Sequence, residues 1–167
     1  MDVLVIPRIL DPKERMRTID ELPQSGAGRT VMTTEPKFVP DEAVSIDITD
    51  DLSVRIRLAD SVGYPVEGAR GYDEEDGPRM VHTPWFEEPI PFEEAAEVGT
   101  RKIIADHSTL GVVVTTDGSI GDLPRSAYEP AESRIVEEVK ALGKPFVILL
   151  NTRDPEAAEV ARLAEQL

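Results

Sequence analysis

Two uninterrupted apolar runs, Leu110-Gly111-Val112-Val113-Val114 and Pro145-Phe146-Val147-Ile148-Leu149-Leu150, constrain the fold most tightly. Runs this short are strands rather than helices, and strands without polar alternation are those covered on both faces of a parallel sheet. Between them, residues 130–142 carry a helical pattern. Pro130 sits in the first turn, Ile135, Val139 and Leu142 share a face, and Gly143 ends the helix. Alternating strands and helices imply an α/β domain with a mainly parallel sheet covered on both faces.

The flanking segments extend this order. Residues 1–10 are apolar and read as a short strand or the tail of a helix. Asp11-Pro12 caps and opens a helix through about Ile19, and residues 22–40 read as a long loop. Val44, Ile46 and Ile48 alternate with polar residues. After a turn at Asp50-Asp51, so do Leu52, Val54, Ile56 and Leu58, which makes an antiparallel hairpin ending at Asp60. Residues 61–91 hold five prolines, four glycines and the acidic cluster Asp73, Glu74, Glu75, Asp76, and read either as a long functional loop or as a mistaken loop assignment. Phe92 to Asp106 reads as a helix. Asp154-Pro155 opens a last helix that runs to Leu167.

Charge and composition exclude several functions. Thirty-three acidic residues against 18 basic ones give a net charge of −15, which repels a phosphate backbone and argues against nucleic acid as a partner. The absence of cysteine excludes disulfides, thiolate metal sites and cysteine nucleophiles, and fits a reducing compartment. The start, Met1 to Pro7, reads as neither a signal peptide nor a transmembrane segment, and no other stretch has the length to span a bilayer. His82 and His107 have no ligand-spaced partner and receive no role.

In parallel α/β sheets ligands bind at the carboxyl ends of the strands, where Asp60, Thr115-Thr116-Asp117-Gly118 and Asn151 are expected. Asp60-Ser61-Val62-Gly63 has the D-x-x-G form of nucleotide hydrolases. The carboxylate can hold Mg²⁺ and the glycine N–H can reach a γ-phosphate; the alternative is a plain strand-ending turn. Val31-Met32-Thr33-Thr34-Glu35-Pro36 offers loop threonines able to place a hydroxyl on Mg²⁺ and to sense the γ-phosphate. A local hydroxyl turn is the alternative. Asn151-Thr152-Arg153-Asp154 is similar to the N-K-x-D base-reading element, with Thr152 in place of the lysine. Asp154 reads equally as a helix cap before Pro155. Ser25-Gly26-Ala27-Gly28-Arg29-Thr30 lacks the lysine, the spacing and the strand–helix context of a phosphate-binding loop, and reads as plain loop.

The order of larger segments is more specific. Asp20-Glu21-Leu22-Pro23-Gln24-Ser25, Met32-Thr33-Thr34-Glu35-Pro36-Lys37-Phe38-Val39-Pro40, Asp60-Ser61-Val62-Gly63-Tyr64, Gly77-Pro78-Arg79-Met80 and Thr83-Pro84-Trp85 occur in turn. Glu87-Glu88-Pro89-Ile90-Pro91-Phe92, Glu97-Val98-Gly99-Thr100-Arg101-Lys102 and Thr115-Thr116-Asp117-Gly118-Ser119-Ile120-Gly121-Asp122 follow. Together they resemble the ATPase domain of the stage IV sporulation protein A family of spore-coat morphogenetic ATPases, from about residue 10 to residue 151.

That resemblance implies a P-loop NTPase fold of the translation-factor-related GTPase kind. This is a three-layer α/β sandwich with a mainly parallel sheet and one antiparallel strand, here lacking the first strand and the P-loop. Residues 1–167 would be a partial ATPase domain, with 61–91 as its long switch II insertion. It implies Mg²⁺ with ATP as cofactor, Thr33 and Thr34 as sensor threonines, and Asp60 as the Walker B residue, with Mg²⁺ held by Asp60 and Thr34. Gly63 would contact the γ-phosphate, Asn151 and Asp154 the base, and basic residues between 70 and 102 are candidate charge stabilisers. The implied activity is ATP hydrolysis coupled to self-polymerisation into the basement layer of the spore coat, in the mother-cell cytoplasm on the forespore surface. The implied partners are further copies of the chain, other spore coat proteins, and a small amphipathic membrane-anchoring peptide, stage V sporulation protein M. With the family's phosphate-binding loop expected upstream of Met1 and its polymer-contact region beyond the chain, the chain is expected to be an internal fragment without ATPase activity of its own. A GTP-hydrolysing switch, or a catalytically inactive scaffold recruiting partners through the acidic loop, are the alternatives.

Overall fold

The computed structural model describes residues 6–9, 11–20, 37–74 and 77–167. The chain divides into two compact units. The first holds the described residues up to Asp60 and the second those from Ser61 onward.

In the first unit, Asp11 opens helix α1 (Pro12–Asp20) as its sequence requires. The Asp11 carboxylate accepts the N–H groups of Lys13 at 2.7 Å and Glu14 at 3.1 Å, satisfying two of the orphan donors of the first turn. Strands β1 (Lys37–Thr49) and β2 (Leu52–Asp60) form the expected antiparallel hairpin about Asp50-Asp51. β1 begins at Lys37, so its first residues are strand rather than the loop that their composition suggests. The register slips between Val39 and Val44, where Pro40 has no N–H to give to the ladder and the strand bulges. The residues before α1 are neither a full strand nor a helix tail. Ile6–Arg8 make a single 3₁₀ turn, and Ile9 bridges to Ile46. Ile9, Val44 and Ile46 are buried together, with Val54 and Ile56 packed against them.

In the second unit, the 61–91 segment is folded rather than open. Strands β3 (Asp73–Glu74) and β4 (Gly77–Pro78) pair, as do β5 (Met80–Val81) and β6 (Ile90–Pro91), all antiparallel. β5 and β6 lie against helix α2 (Phe92–Lys102), which begins with the fully buried Phe92. The Tyr72 ring meets Phe92 edge-on at 5.5 Å, and the Arg79 guanidinium lies 4.4 Å from its centroid. α2 continues through a π-helical turn, Ile103–His107, so the helical stretch ends close to where periodicity places it.

Strands β7 (Gly111–Thr116) and β8 (Phe146–Asn151) pair in parallel, with helix α3 (Arg125–Ala141) between them in the chain. α3 begins five residues before Pro130, which therefore lies inside the helix and not in its first turn. Its missing N–H leaves the Ser126 carbonyl without an intrahelical donor, a small loss so near the helix start. Helix α4 (Ala158–Gln166) starts later than Asp154-Pro155 suggests, because a turn at 154–157 comes first.

Two expectations about the sheet need correcting. The described strands form four two-stranded sheets, of which only β7–β8 is parallel, rather than one mainly parallel sheet. The parallel pair is also covered on one face only. Gly111, Val113 and Thr115 are buried, whereas Val112 is 49% and Val114 67% exposed, and β8 alternates in the same way. The sequence hides this because both faces carry the same apolar residue types.

Candidate functional site

The carboxyl ends of β7 and β8 lie side by side, with Thr116 opposite Asn151 at the last step of the ladder. The Asp117 N–H extends the pairing one step by donating to the Asn151 carbonyl at 3.3 Å. From there the two departing loops are tied through one carboxylate. Asp117 Oδ1 accepts the Ser119 N–H at 2.8 Å and the Ser119 hydroxyl at 2.6 Å, while Oδ2 accepts the Thr152 hydroxyl at 2.6 Å. The Ser119 hydroxyl, then that of Thr152, then the Ser119 N–H hold the Asp117 carboxyl down at about 2, against 3.8 ordinarily. Ser119 Oγ in turn accepts the Arg153 N–H at 3.0 Å. Thr115-Thr116-Asp117-Gly118 and Asn151 thus meet at the strand ends, as sequence reasoning expects.

Gly118 is required in this loop. Its φ is +87°, and a Cβ there would lie 2.7 Å from the Arg125 backbone nitrogen. That close approach sets the start of α3 against the loop. Arg125 itself donates to Thr115 Oγ1 at 3.1 Å and forms a two-pronged pair with Glu132 at 2.6 Å on each arm. Burial pushes the Glu132 carboxyl up, but the bonds from Arg125 and Thr115 outweigh it and leave it below its ordinary value.

Thr152 does not do what a lysine does in a base-reading element. Its hydroxyl is directed to Asp117, and its Oγ1 accepts the Asp154 N–H at 3.2 Å. Asp154 heads the turn before α4. Its Oδ1 accepts the Glu156 N–H at 3.3 Å, and its carbonyl accepts the Ala157 N–H at 3.2 Å.

Asp60 is exposed at the end of β2. The chain turns through Ser61 and Val62 to Gly63, whose φ of +80° suits a residue without a side chain. The Gly63 N–H donates to Thr100 Oγ1 at 3.0 Å, in the last turn of α2. The next residue, Tyr64, is buried and its hydroxyl donates to Glu138 of α3. Burial, with Glu138 beside it, pushes the Tyr64 phenol well above its ordinary value. Burial also pushes Glu138 up, but the Tyr64 hydroxyl and the Arg101 and Arg134 cations outweigh it, and its carboxyl lies below the usual range. Thr33 and Thr34 lie outside the described residues, as does the 25–30 segment refused as a phosphate-binding loop.

Thr100, Tyr64 and Glu138 receive no role from sequence reasoning, because their partners lie far away in the chain. The usable signal is a lone hydroxyl, Thr100, four residues after Ala96 on the face of α2 that buries Phe92, Ala95, Ala96 and Gly99. Among the described residues no three carboxylates or histidines cluster as a ready-made metal cage. Mg²⁺ in nucleotide hydrolases needs one or two carboxylates beside phosphate oxygens, and the exposed Asp60 fits that donor chemistry. No helix among the described residues is long and apolar enough to cross a membrane.

Comparison with known proteins agrees with the order of segments in the sequence. The chain is 58% identical to stage IV sporulation protein A of Bacillus anthracis, 56% to that of Bacillus subtilis and 50% to that of Clostridioides difficile. Each match covers the whole chain but 34% of the relative, so the chain spans about a third of their length. No solved structure matches it. The family model described as "Stage IV sporulation protein A, ATPase domain" matches residues 1–167 from end to end, and the chain belongs to that family.

Proposed function

We propose that these residues are part of an ATP-hydrolysing domain whose turnover drives self-assembly of the full-length protein into the basement layer of a bacterial spore coat. The single observation that carries this reading is the turn at Gly63, three residues after Asp60 in the sequence, which has positive φ and its N–H bonded to a hydroxyl oxygen. The same N–H suits a γ-phosphate oxygen. Asp60 would hold Mg²⁺ with Thr34, and Thr33 would sense the γ-phosphate. Bound Mg²⁺ would neutralise charge on the phosphate oxygens. Asn151, at the end of β8, and Asp154, three residues beyond it, would lie against the base, in the layered fold of the P-loop NTPases. Further copies of the chain, coat proteins and a small amphipathic anchoring peptide would be its partners, at the forespore surface in the mother-cell cytoplasm.

The test uses the full-length gene product, with ATP and GTP in parallel, because residues 1–167 contain no G-x-x-x-x-G-K-[ST] loop. Mg²⁺-dependent ATP turnover is expected, GTP turnover is not, and Asp60→Asn is expected to lower kcat on the order of a hundredfold and to block assembly. Normal assembly by Asp60→Asn would replace this reading with that of a scaffold that needs no hydrolysis.

A further inference from the structure

Tyr64 and Gly63 are fastened to two helix faces at once. From α2 come Glu97, Thr100 and Arg101, and from α3 come Arg134 and Glu138. Thr100 is 3% exposed, and its hydroxyl oxygen takes the Gly63 N–H. Glu138 takes the Tyr64 hydroxyl and is itself bonded by Arg101 at 2.6 Å. The Arg134 guanidinium lies 4.5 Å from the Tyr64 ring centroid and is held there by a two-pronged pair with Glu97, at 2.5 and 2.6 Å. The side chain of Tyr64 therefore has its apolar body, its ring face and its hydroxyl all engaged, which anchors the backbone one residue after Gly63.

We propose that Thr100 is a positioning residue that competes with the terminal phosphate of a nucleotide for the Gly63 N–H, and so sets how strongly the protein distinguishes a nucleoside triphosphate from a diphosphate. The proposal rests on the nucleotide-binding reading of the Asp60–Gly63 turn. One N–H makes one strong hydrogen bond, so a phosphate oxygen that takes it displaces the Thr100 oxygen. A phosphate oxygen is the stronger acceptor because it is charged. The buried threonine keeps the N–H satisfied otherwise, and its loss is offset only by the ligand that has a third phosphate. Thr100 thus weakens triphosphate binding and leaves diphosphate binding alone.

The experiment compares full-length wild type, Thr100→Val and Thr100→Ser. It measures Kd for ADP and for a non-hydrolysable ATP analogue, and amide exchange at Gly63. Thr100→Val keeps the shape and removes the acceptor. It is expected to speed Gly63 exchange and raise the ADP-to-ATP-analogue Kd ratio roughly fivefold to tenfold, with the ADP Kd unchanged. Thr100→Ser, which keeps the oxygen, is expected to restore the wild-type ratio. An unchanged or lowered ratio in Thr100→Val, in a protein that still binds ADP, overturns the proposal and leaves the nucleotide reading standing. Failure of the wild type to bind either nucleotide removes both. If Thr100→Val does not fold, glycine-labelled wild type decides. A Gly63 amide signal shifted by the ATP analogue and not by ADP supports the proposal, and equal responses overturn it.

Discussion

The Asp117 carboxylate accepts the Thr152 hydroxyl at 2.6 Å, and through that bond the loop after β7 is tied to the loop after β8. Thr152 stands where a base-reading element carries a lysine whose stem covers the ring. Here the side chain is short and its hydroxyl faces its neighbour loop, so the ring-covering stem of that element is absent while its aspartate position, Asp154, is kept.

This tie has a pH signature. The folded Asp117 carboxyl titrates at about 2 against an ordinary 3.8. Its folded value is depressed, so its contribution to stability is complete above pH 3.8 and is lost as pH falls toward 2. Glu132 and Glu138, also depressed, act in the same direction. Asp117→Asn removes one share of this acid sensitivity. The difference in urea midpoint between wild type and Asp117→Asn is expected to be constant above about pH 4 and to shrink below it. A difference that stays constant down to pH 2 would show that the carboxylate is not charged in this role.

Gly118 offers a sharper test of the same loop. Alanine there must adopt a φ of +87° and bring its Cβ within 2.7 Å of a backbone atom of Arg125. Gly118→Ala is expected to cost about 1–3 kcal/mol, seen as a lower urea midpoint at unchanged m-value. Gly63→Ala is the control. Its φ is +80° but its Cβ would meet nothing within 4 Å, so the cost there is the dihedral strain alone, about 1 kcal/mol.

Much of this architecture is legible in the residues because it repeats with a period. The alternation over 44–58 marks the hairpin, Asp11-Pro12 marks the start of α1, and the apolar runs mark β7 and β8. What is not legible has no period. β3 to β6 are two residues each, too short to alternate visibly, yet they pair within what reads as a loop, and Tyr72 beside them meets Phe92 edge-on. The start of α3 at Arg125 follows from the Gly118 contact and the Arg125–Glu132 pair, which local sequence does not encode, so Pro130 looks like the better start. Asp60, Gly63 and Asn151 are readable as site candidates because strand ends are readable. Thr100 and Glu138 are not, since their partners lie 37 and 74 residues away.

The Arg125–Glu132 pair is the next quantity to measure. Both side chains are largely buried, at 19% and 9% exposure, so truncating one partner leaves the other charged and poorly hydrated. Glu132→Ala is expected to cost about 1–2 kcal/mol, below the range for fully buried pairs because water still screens Arg125. Arg125→Met combined with Glu132→Leu is expected to recover most of that loss, since both charges then leave together. Additive losses in the double variant would mean that packing, rather than the charge pair, carries the effect.

Asp154 separates two roles that one residue can fill. As the head of the turn before α4, it accepts the Glu156 N–H, a task that asparagine performs as well as aspartate. As a reader of a guanine edge it would need two anionic acceptors, which asparagine lacks. Asp154→Ala is expected to cost about 1 kcal/mol of stability, and Asp154→Asn almost nothing. With Thr152 turned toward Asp117, Asp154→Asn is also expected to leave the ATP-to-GTP preference of the full-length protein unchanged. Paired melting curves and competition binding check both. A stable Asp154→Asn protein whose preference shifts would make Asp154 a reader of the guanine edge, and the turn it heads would then be the support that aims it.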